Sequence, residues 1–171
     1  LLRSGVRPGD EIWVSGPLGG AAAAVRAWRA GGDPEPRARE RFLRPVPRIA
    51  EARWLARHEL ACAAIDVSDG LVADAGHLAA ASGVRIEIDA SGVPVHPAAT
   101  LAEALAGGED YELLWAGPPD AASAALDAFR TTFGLAPRRV GRAAVGAGVR
   151  VYGPEGALPL ATRGHDHFAE P

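Results

Sequence analysis

The pentapeptide Asp66-Val67-Ser68-Asp69-Gly70 places two carboxylates three residues apart with a hydroxyl between them. It follows the short apolar run Leu60 to Ile65 and precedes a stretch with helical spacing, so it falls at a strand-to-helix junction, where ligands tend to bind in sheets of this class. Asp66 at the strand end and Asp69 near the first helical turn can face one crevice. Oxygen ligands of this kind suit a hard cation such as Mg²⁺, which takes one or two carboxylates and completes its shell with waters and phosphates. Ser68 and the free N–H groups of a helix start favour an anion. The competing reading is that Ser68 or Asp69 caps the helix; Asp66, at the end of an apolar strand, favours a site.

A second acidic group, Gly107-Gly108-Glu109-Asp110-Tyr111-Glu112-Leu113, surrounds a tyrosine where a helix gives way to a strand. Glu109 and Asp110 can hold a cationic ring or another polar part of a substrate, against the plainer reading of an ordinary Gly-Gly turn. In the strand, Tyr111, Leu113 and Trp115 share one face and Asp110 and Glu112 the other. Gly16-Pro17-Leu18-Gly19-Gly20 has neither the ending of a P-loop nor dinucleotide spacing, and reads as a tight turn. Arg37, Arg39, Arg41, Arg44 and Arg48 are interrupted by acids and read as a solvated surface. Asp74 and His77 read as a surface pair one turn apart. His165-Asp166-His167 is too closely spaced for a structural zinc site.

The elements that must position these groups follow from periodicity. Asp10 to Ser15 reads as a strand, followed by a helix with Leu18, Ala21, Ala22, Val25 and Trp28 on one stripe that stops at Gly31-Gly32. Asp33 to Arg41, with Pro34 and Pro36, reads as an exposed connection. Pro47 opens a helix to about His58 with Ile49, Ala52, Leu55 and Ala56 inward. A buried strand over Leu60 to Ile65 precedes a helix from Gly70 to Ser82 that stops at Gly83. Val84 to Ile88 alternates as a half-exposed strand. A helix opened by Pro97 carries Leu101, Ala104 and Leu105 inward and closes at Gly107; the strand Tyr111 to Ala116 follows. Asp120 caps a helix ending at Gly134, and Arg139 to Val145 and Val149 to Tyr152 form a hairpin across Gly146-Ala147-Gly148. Gly153 to Pro171 is loop-like. This order predicts an α/β (α+β) domain, a mixed β-sheet with helices packed against it.

Composition narrows the chemistry. The chain has 171 residues, 48% apolar and 23% charged, which is one domain's worth. Its 18 basic residues are all Arg, and Lys, Met, Asn and Gln are absent. A Walker lysine, a lysine Schiff base and a lysine general base are therefore excluded. Net charge is −3, without the concentrated positive field that nucleic-acid binding needs, and no apolar run reaches the roughly 18 residues of a membrane span. The single Cys62 excludes an internal disulfide, sits in an apolar run as an inert thiol and fits a reducing cytoplasm.

Taken together, Ala64 to Leu71, Gly107 to Leu113, Arg44-Pro45-Val46-Pro47-Arg48 and the ending Gly164-His165-Asp166-His167-Phe168 resemble the thiamine-monophosphate kinase family. That family belongs to the superfamily of aminoimidazole ribonucleotide synthetase, selenophosphate synthetase and a hydrogenase maturation factor. The Gly-Glu-Asp-Tyr-Glu-Leu run points to the kinase, whereas the Ser-Asp-Gly element is shared more widely. The opening Arg3 to Asp10 is similar to the linker into the family's C-terminal domain. The resemblance implies ATP-dependent, Mg²⁺-dependent phosphorylation of thiamine monophosphate to thiamine diphosphate. It implies that Asp66 and Asp69 are Mg²⁺ ligands, that Ser68 contacts the ATP phosphates, and that Glu109 with Asp110 holds thiamine monophosphate. His165 stands where the family tends to have an aromatic residue against the substrate's rings. It further implies a C-terminal substrate- and phosphate-binding domain over residues 1–155 and a tail over 156–171 that contributes to the substrate site. The family's N-terminal ATP- and Mg²⁺-binding domain, with its acidic motif and dimer contact, is not among these residues. The chain is thus expected to be the C-terminal half of a cytoplasmic, homodimeric kinase, inactive alone. The alternatives are another ATP-dependent enzyme of the superfamily or a non-catalytic binding domain.

Overall fold

The computed structural model describes residues 1–158. Its elements are β1 (Glu11–Val14), α1 (Gly20–Arg29), α2 (Pro36–Leu43), α3 (Ile49–Arg57), β2 (Ala63–Asp66), α4 (Leu71–Ser82) and β3 (Arg85–Asp89). After a 3-10 turn over Ala90–Gly92 come α5 (Leu101–Ala106), β4 (Leu113–Gly117), α6 (Ala121–Phe133), β5 (Arg138–Ala144), β6 (Gly148–Gly153) and β7 (Gly156–Ala157). The strands form one mixed sheet in the order β2-β4-β1-β5-β3-β6-β7, antiparallel except for the β3–β6 pair. The α/β class expected from the sequence is what forms. No helix among the described residues is long and apolar enough to cross a membrane.

Strand alternation sends side chains to two cores. Ile12, Val14, Ile86, Ile88, Leu114 and Ala116 meet Leu71, Ala75 and Leu78 of α4 on one face. On the other, Trp13, Leu113 and Trp115 meet Leu55 of α3 and Phe129 of α6. The edge-on contacts of Trp54 with Phe129 and Phe133, at 5.6 and 6.1 Å, close this second core. The sheet's centre is thereby covered on both sides, which holds the ends of β2 and β4 in fixed register.

Several expectations fail for identifiable reasons. Asp33 to Arg41 is not an open connection, because Pro36 occupies the first turn of α2 and the Glu35 carboxylate accepts the Ala38 N–H at 2.9 Å. The proline that reads as a breaker is a helix starter here, since its missing N–H would have had no partner there. Ala38 then buries against Ala23 and Ala24 of α1. In α3, Ile49 and Ala56 point outward, Ile49 being 60% exposed; Leu55 is the buried anchor. Asp120 adopts a left-handed backbone and makes no side-chain cap to α6. β5 and β6 are not a hairpin: Arg85 of β3 stands between them, paired to Ala144 on one side and Gly148 on the other. The glycine loop between them thus crosses two strand spacings, about 10 Å, which its few residues can span. Gly153 and Gly156–Ala157, expected as loop, complete β6 and β7.

Candidate functional site

The β2–β4 ladder runs past its formal ends and joins the two acidic motifs. Asp66 pairs with Leu113 in register. Beyond it, the Val67 N–H donates to Glu112 O at 2.8 Å, the Tyr111 N–H to Val67 O at 2.9 Å and the Glu109 N–H to Ser68 O at 2.9 Å. What the sequence presents as separate segments, 66–70 and 107–112, is one continuous pairing. Glycine makes it possible, because a Cβ on Gly108 would fall on the Ser68 carbonyl oxygen. A Cβ on Gly70 would likewise come within 2.9 Å of the Ala106 backbone.

Ser68 and Asp69 do not cap α4. The cap position is Gly70, at φ 111°, and no side chain bonds there. Instead Asp74, inside the first turn, accepts the Ser68 and Asp69 N–H groups on one carboxylate oxygen, each at 3.0 Å. Asp74 was expected as an exposed partner of His77; it is 1% exposed, because the turn that precedes α4 folds over it. Burial pushes its carboxyl up to about 6, assisted by the Asp69 charge and opposed by the N–H groups it accepts and by His77. Ligand-type atoms of Asp69, Asp74 and His77 lie within 4.8 Å of one another.

In the second motif, side chains alternate between inside and outside. Asp110 is buried and accepts the Gly19 N–H at 2.6 Å and the Ala21 N–H at 3.4 Å, closing the N-terminus of α1. Burial pushes its carboxyl up to about 6 against the lowering pull of these N–H groups. Asp110 thus shares the inward side with Glu112, as the strand alternation predicts, and lies beneath Glu109. Glu112, also buried, receives the Arg41 guanidinium at 2.5 Å, Arg48 at 2.7 and 3.0 Å, and the Ser15 hydroxyl. Despite its burial, these cations and the hydroxyl hold the Glu112 carboxyl below the usual range. The arginine series is consequently not all solvated surface. The signal available in the sequence was the alternation itself: a carboxylate on the inward side of a strand edge demands a cation, and only Arg could supply it.

Glu109 and Tyr111 point outward, both in left-handed backbone at φ 68° and 51°. The Tyr111 hydroxyl donates to Glu109 Oε2 at 3.2 Å. Partial burial, the charge and hydrogen bond of Glu109, and the charges of Asp66 and Asp69 hold the Tyr111 hydroxyl above its ordinary pKa. Glu109 thus meets the hydroxyl of this ring, and Asp66 lines the same cavity as the ring. Among the described residues, none of the ion pairs includes Asp66, Asp69 or Glu109. Two cavities of ligand size adjoin this acidic ridge. One, of about 460 Å³, runs between α1 and α5 to Ser68, Asp69 and Glu109, with Arg26 and Arg29 on its wall. The other, of about 630 Å³, is lined by Pro45, Pro47, Ile49, Asp66 and Tyr111. The Arg44–Arg48 motif is thereby brought beside Asp66. His165 and the 164–168 cluster lie outside the described residues.

Cys62 is half-buried and donates to Asp10 at 3.3 Å and Ala116 O at 3.4 Å. Burial and the neighbouring Asp10 push its thiol up to about 11, which accords with an inert role.

Known proteins resemble this chain in sequence and in fold. Thiamine-monophosphate kinase of Methanopyrus kandleri is 43% identical over 161 residues, covering 88% of this chain and 49% of its own length. The crystal structure of thiamine-monophosphate kinase from Stenotrophomonas maltophilia superposes with TM-score 0.81 at 39% identity, covering 88% of this chain and 52% of that one. AaThiL complexed with AMPPCP and TMP superposes with TM-score 0.80 at 34% identity, over 97% of this chain and 53% of its own. The chain spans about half the length of the relatives it matches. Residues 7–153, which hold both acidic motifs and the sheet that joins them, match AIR synthase related protein, C-terminal domain, and the chain belongs to that family.

Proposed function

We propose that the chain is the C-terminal part of a thiamine-monophosphate kinase, which phosphorylates thiamine monophosphate to thiamine diphosphate with ATP. The observation that carries this reading is the pairing of segments 66–70 and 107–112, which gathers Asp66, Asp69 and Glu109 on one ridge with no cationic partner among the described residues. The relatives of this architecture named as thiamine-monophosphate kinases support it, as does the solved complex of one relative with a nucleotide analogue and TMP.

The donor set fits a magnesium ion: Asp66 and Asp69 offer hard oxygen ligands and leave room for phosphate oxygens. Bound there, such an ion would neutralise charge on the transferring phosphoryl group. The chain's own residues do the rest of the positioning. Ser68 offers a hydroxyl to phosphate oxygens at the start of α4, where unpaired N–H groups also favour anions. Glu109, presented outward, attracts the cationic thiazolium ring of the acceptor. The γ-phosphoryl group passes from ATP to the acceptor's phosphate oxygen and ADP leaves; no lysine or covalent nucleophile is required, since positioning and charge neutralisation dominate such transfers. Asp110 supports Glu109 from beneath by fixing α1 to the loop. On resemblance, His165 is assigned to the substrate's rings and the tail over 156–171 to the substrate site. The other half of the longer protein supplies the remaining metal ligands, most of the nucleotide site and the dimer contact, in the cytoplasm.

Calorimetric titration of the longer protein tests this. Asp69→Asn is expected to weaken Mg²⁺ binding at least tenfold, and Glu109→Gln to weaken thiamine monophosphate binding at least tenfold while leaving Mg²⁺ unchanged. Wild-type protein that binds neither ligand, or variants that bind both as wild type does, would sink the reading. The 171-residue chain alone is expected to release no ADP from ATP in the presence of thiamine monophosphate.

A further inference from the structure

The mechanism above leaves Glu112 unused, although it is the most fully enclosed acid among the described residues and sits three residues from Glu109. Its seat is built for it. Gly16 has no room for a Cβ, which would lie 2.8 Å from Glu112 Oε1. Ser15, itself fully buried, gives its hydroxyl to Glu112 and accepts the Leu113 N–H at 2.8 Å. Arg41 reaches in from α2 and also bonds Pro17 O at 3.0 Å; Arg48 reaches in from the approach to α3 and also contacts Glu51 at 3.4 Å. One carboxylate therefore ties the end of β1, α2 and the start of α3 to the residue that opens β4.

Burying an ion cluster is a poor way to gain stability, because desolvation offsets most of the attraction and well-packed apolar residues do as well. What this cluster has that an apolar contact lacks is direction, and what lies next to it needs direction. Glu109 and Tyr111 each hold a left-handed backbone, which is strained for a non-glycine residue and persists only where the surroundings over-determine it. Asp110 and Glu112 alternate with them as two inward pegs, one set in the N-terminus of α1 and one in the arginine pair. The structure contains no other carboxylate contact that fixes this segment from its β4 side among the described residues.

We propose that Glu112, seated on Arg41 and Arg48 at the wall of the larger cavity, is a positioning residue that holds Glu109 and Tyr111 in their outward, left-handed conformations and through them sets acceptor affinity. The consequence for the acceptor rests on the kinase reading; the consequence for the backbone does not. In the longer protein carrying this chain, Glu112→Gln keeps the shape and removes the charge. Hydrogen exchange measured by mass spectrometry is expected to accelerate at least tenfold over residues 108–112 while β5 and β3 stay at wild-type rates. The KM for thiamine monophosphate is expected to rise at least tenfold with kcat within threefold, the split that marks loss of binding made equally in the ground and transition states. Arg48→Lys, which retains the charge but not the fork to both carboxylate oxygens, and Arg48→Met, which retains neither, are both expected to raise KM as Glu112→Gln does. Glu51→Gln, which touches Arg48 but not the loop, serves as control and is expected to leave KM unchanged. Exchange that rises across the whole sheet with an unchanged KM would make Glu112 an ordinary core ion pair and overturn the proposal, as would wild-type exchange over 108–112. Wild-type protein without turnover of thiamine monophosphate counts against the kinase reading alone, and the exchange comparison then decides the role of Glu112.

Discussion

Replacing Gly108 by alanine tests whether the two acidic motifs are held together as tightly as the ladder implies. The added Cβ would overlap the Ser68 carbonyl oxygen and lie 3.2 Å from Ser68 C and 3.3 Å from Asp69 Cα. Carbon contacts are favourable only at about 3.5–4.0 Å, and the obstacle is backbone on a chain already fixed by Asp74, so no side-chain rotation relieves it. The segments must part, and the Glu109 N–H bond to Ser68 O, 2.9 Å long, goes with them. Overpacking costs about 1–3 kcal/mol and a lost hydrogen bond about 0.5–1.5 kcal/mol. Alanine restricts the unfolded chain and returns about 0.4–1 kcal/mol. A net loss of about 2–3 kcal/mol follows, a large fraction of the about 5–15 kcal/mol that holds a domain folded. Urea unfolding followed by tryptophan fluorescence reads it, since Trp13 and Trp115 are buried in the core beneath the site. Gly32→Ala is the control, because its Cβ would meet only Ala27 O at 3.7 Å, an ordinary contact. A Gly108→Ala midpoint equal to that of Gly32→Ala, with unchanged m, would refute the close pairing of Ser68 with Gly108.

Buried carboxyls give the chain a pH signature of unusual sign. Asp74 and Asp110 are pushed up to about 6 from an ordinary 3.8, so the folded state binds more protons than the unfolded state between about pH 4 and 6, and stability falls as pH rises through that window. Glu112 is held below its ordinary value and acts oppositely, its contribution being lost only as pH drops below the carboxylate range. Urea midpoints at pH 4.5 and 6.5 are expected to show a smaller fall in Asp110→Asn than in wild type; identical falls would contradict the assignment. For Cys62, a thiol pushed up to about 11 presents little thiolate at pH 8, and alkylation by iodoacetamide is expected at least tenfold slower than that of a free thiol; a rate equal to free cysteine would show that Asp10 and burial do not protect it.

The outward half of the site was legible in the sequence and the inward half was not. Asp66, Ser68, Asp69 and Glu109 announce themselves because carboxylates and a hydroxyl stand at element boundaries beside glycines, where the chain must be exposed. Their joining was invisible, because it depends on β2 pairing with β4 across a long sequence separation, and strand neighbours are not written in local periodicity. The same limit misread β5 and β6, whose adjacency in sequence suggested a hairpin while β3 lay between them. α2 failed for a different reason. Its only buried residue is Ala38, too small to mark an apolar stripe, and its start is a proline.

The arginines show what the absence of lysine means physically. Glu112 is bound in a fork by Arg48 through Nε and Nη2, a geometry that a single ammonium cannot reproduce. Arg41 divides its Nη2 between the same carboxylate and Pro17 O, joining a charge and a backbone carbonyl in one group. Outside, Arg26 does the same for Glu103 and Ala98 O along the wall of the groove. In each case planar, multiply donating cations satisfy structural carboxylates, while Asp66, Asp69 and Glu109 have no such partner among the described residues. Glu112 and Glu103 are held by arginines and Asp110 by the N-terminus of α1, whereas Asp66, Asp69 and Glu109, which also border the two cavities, have no arginine among the described residues and are left to a ligand.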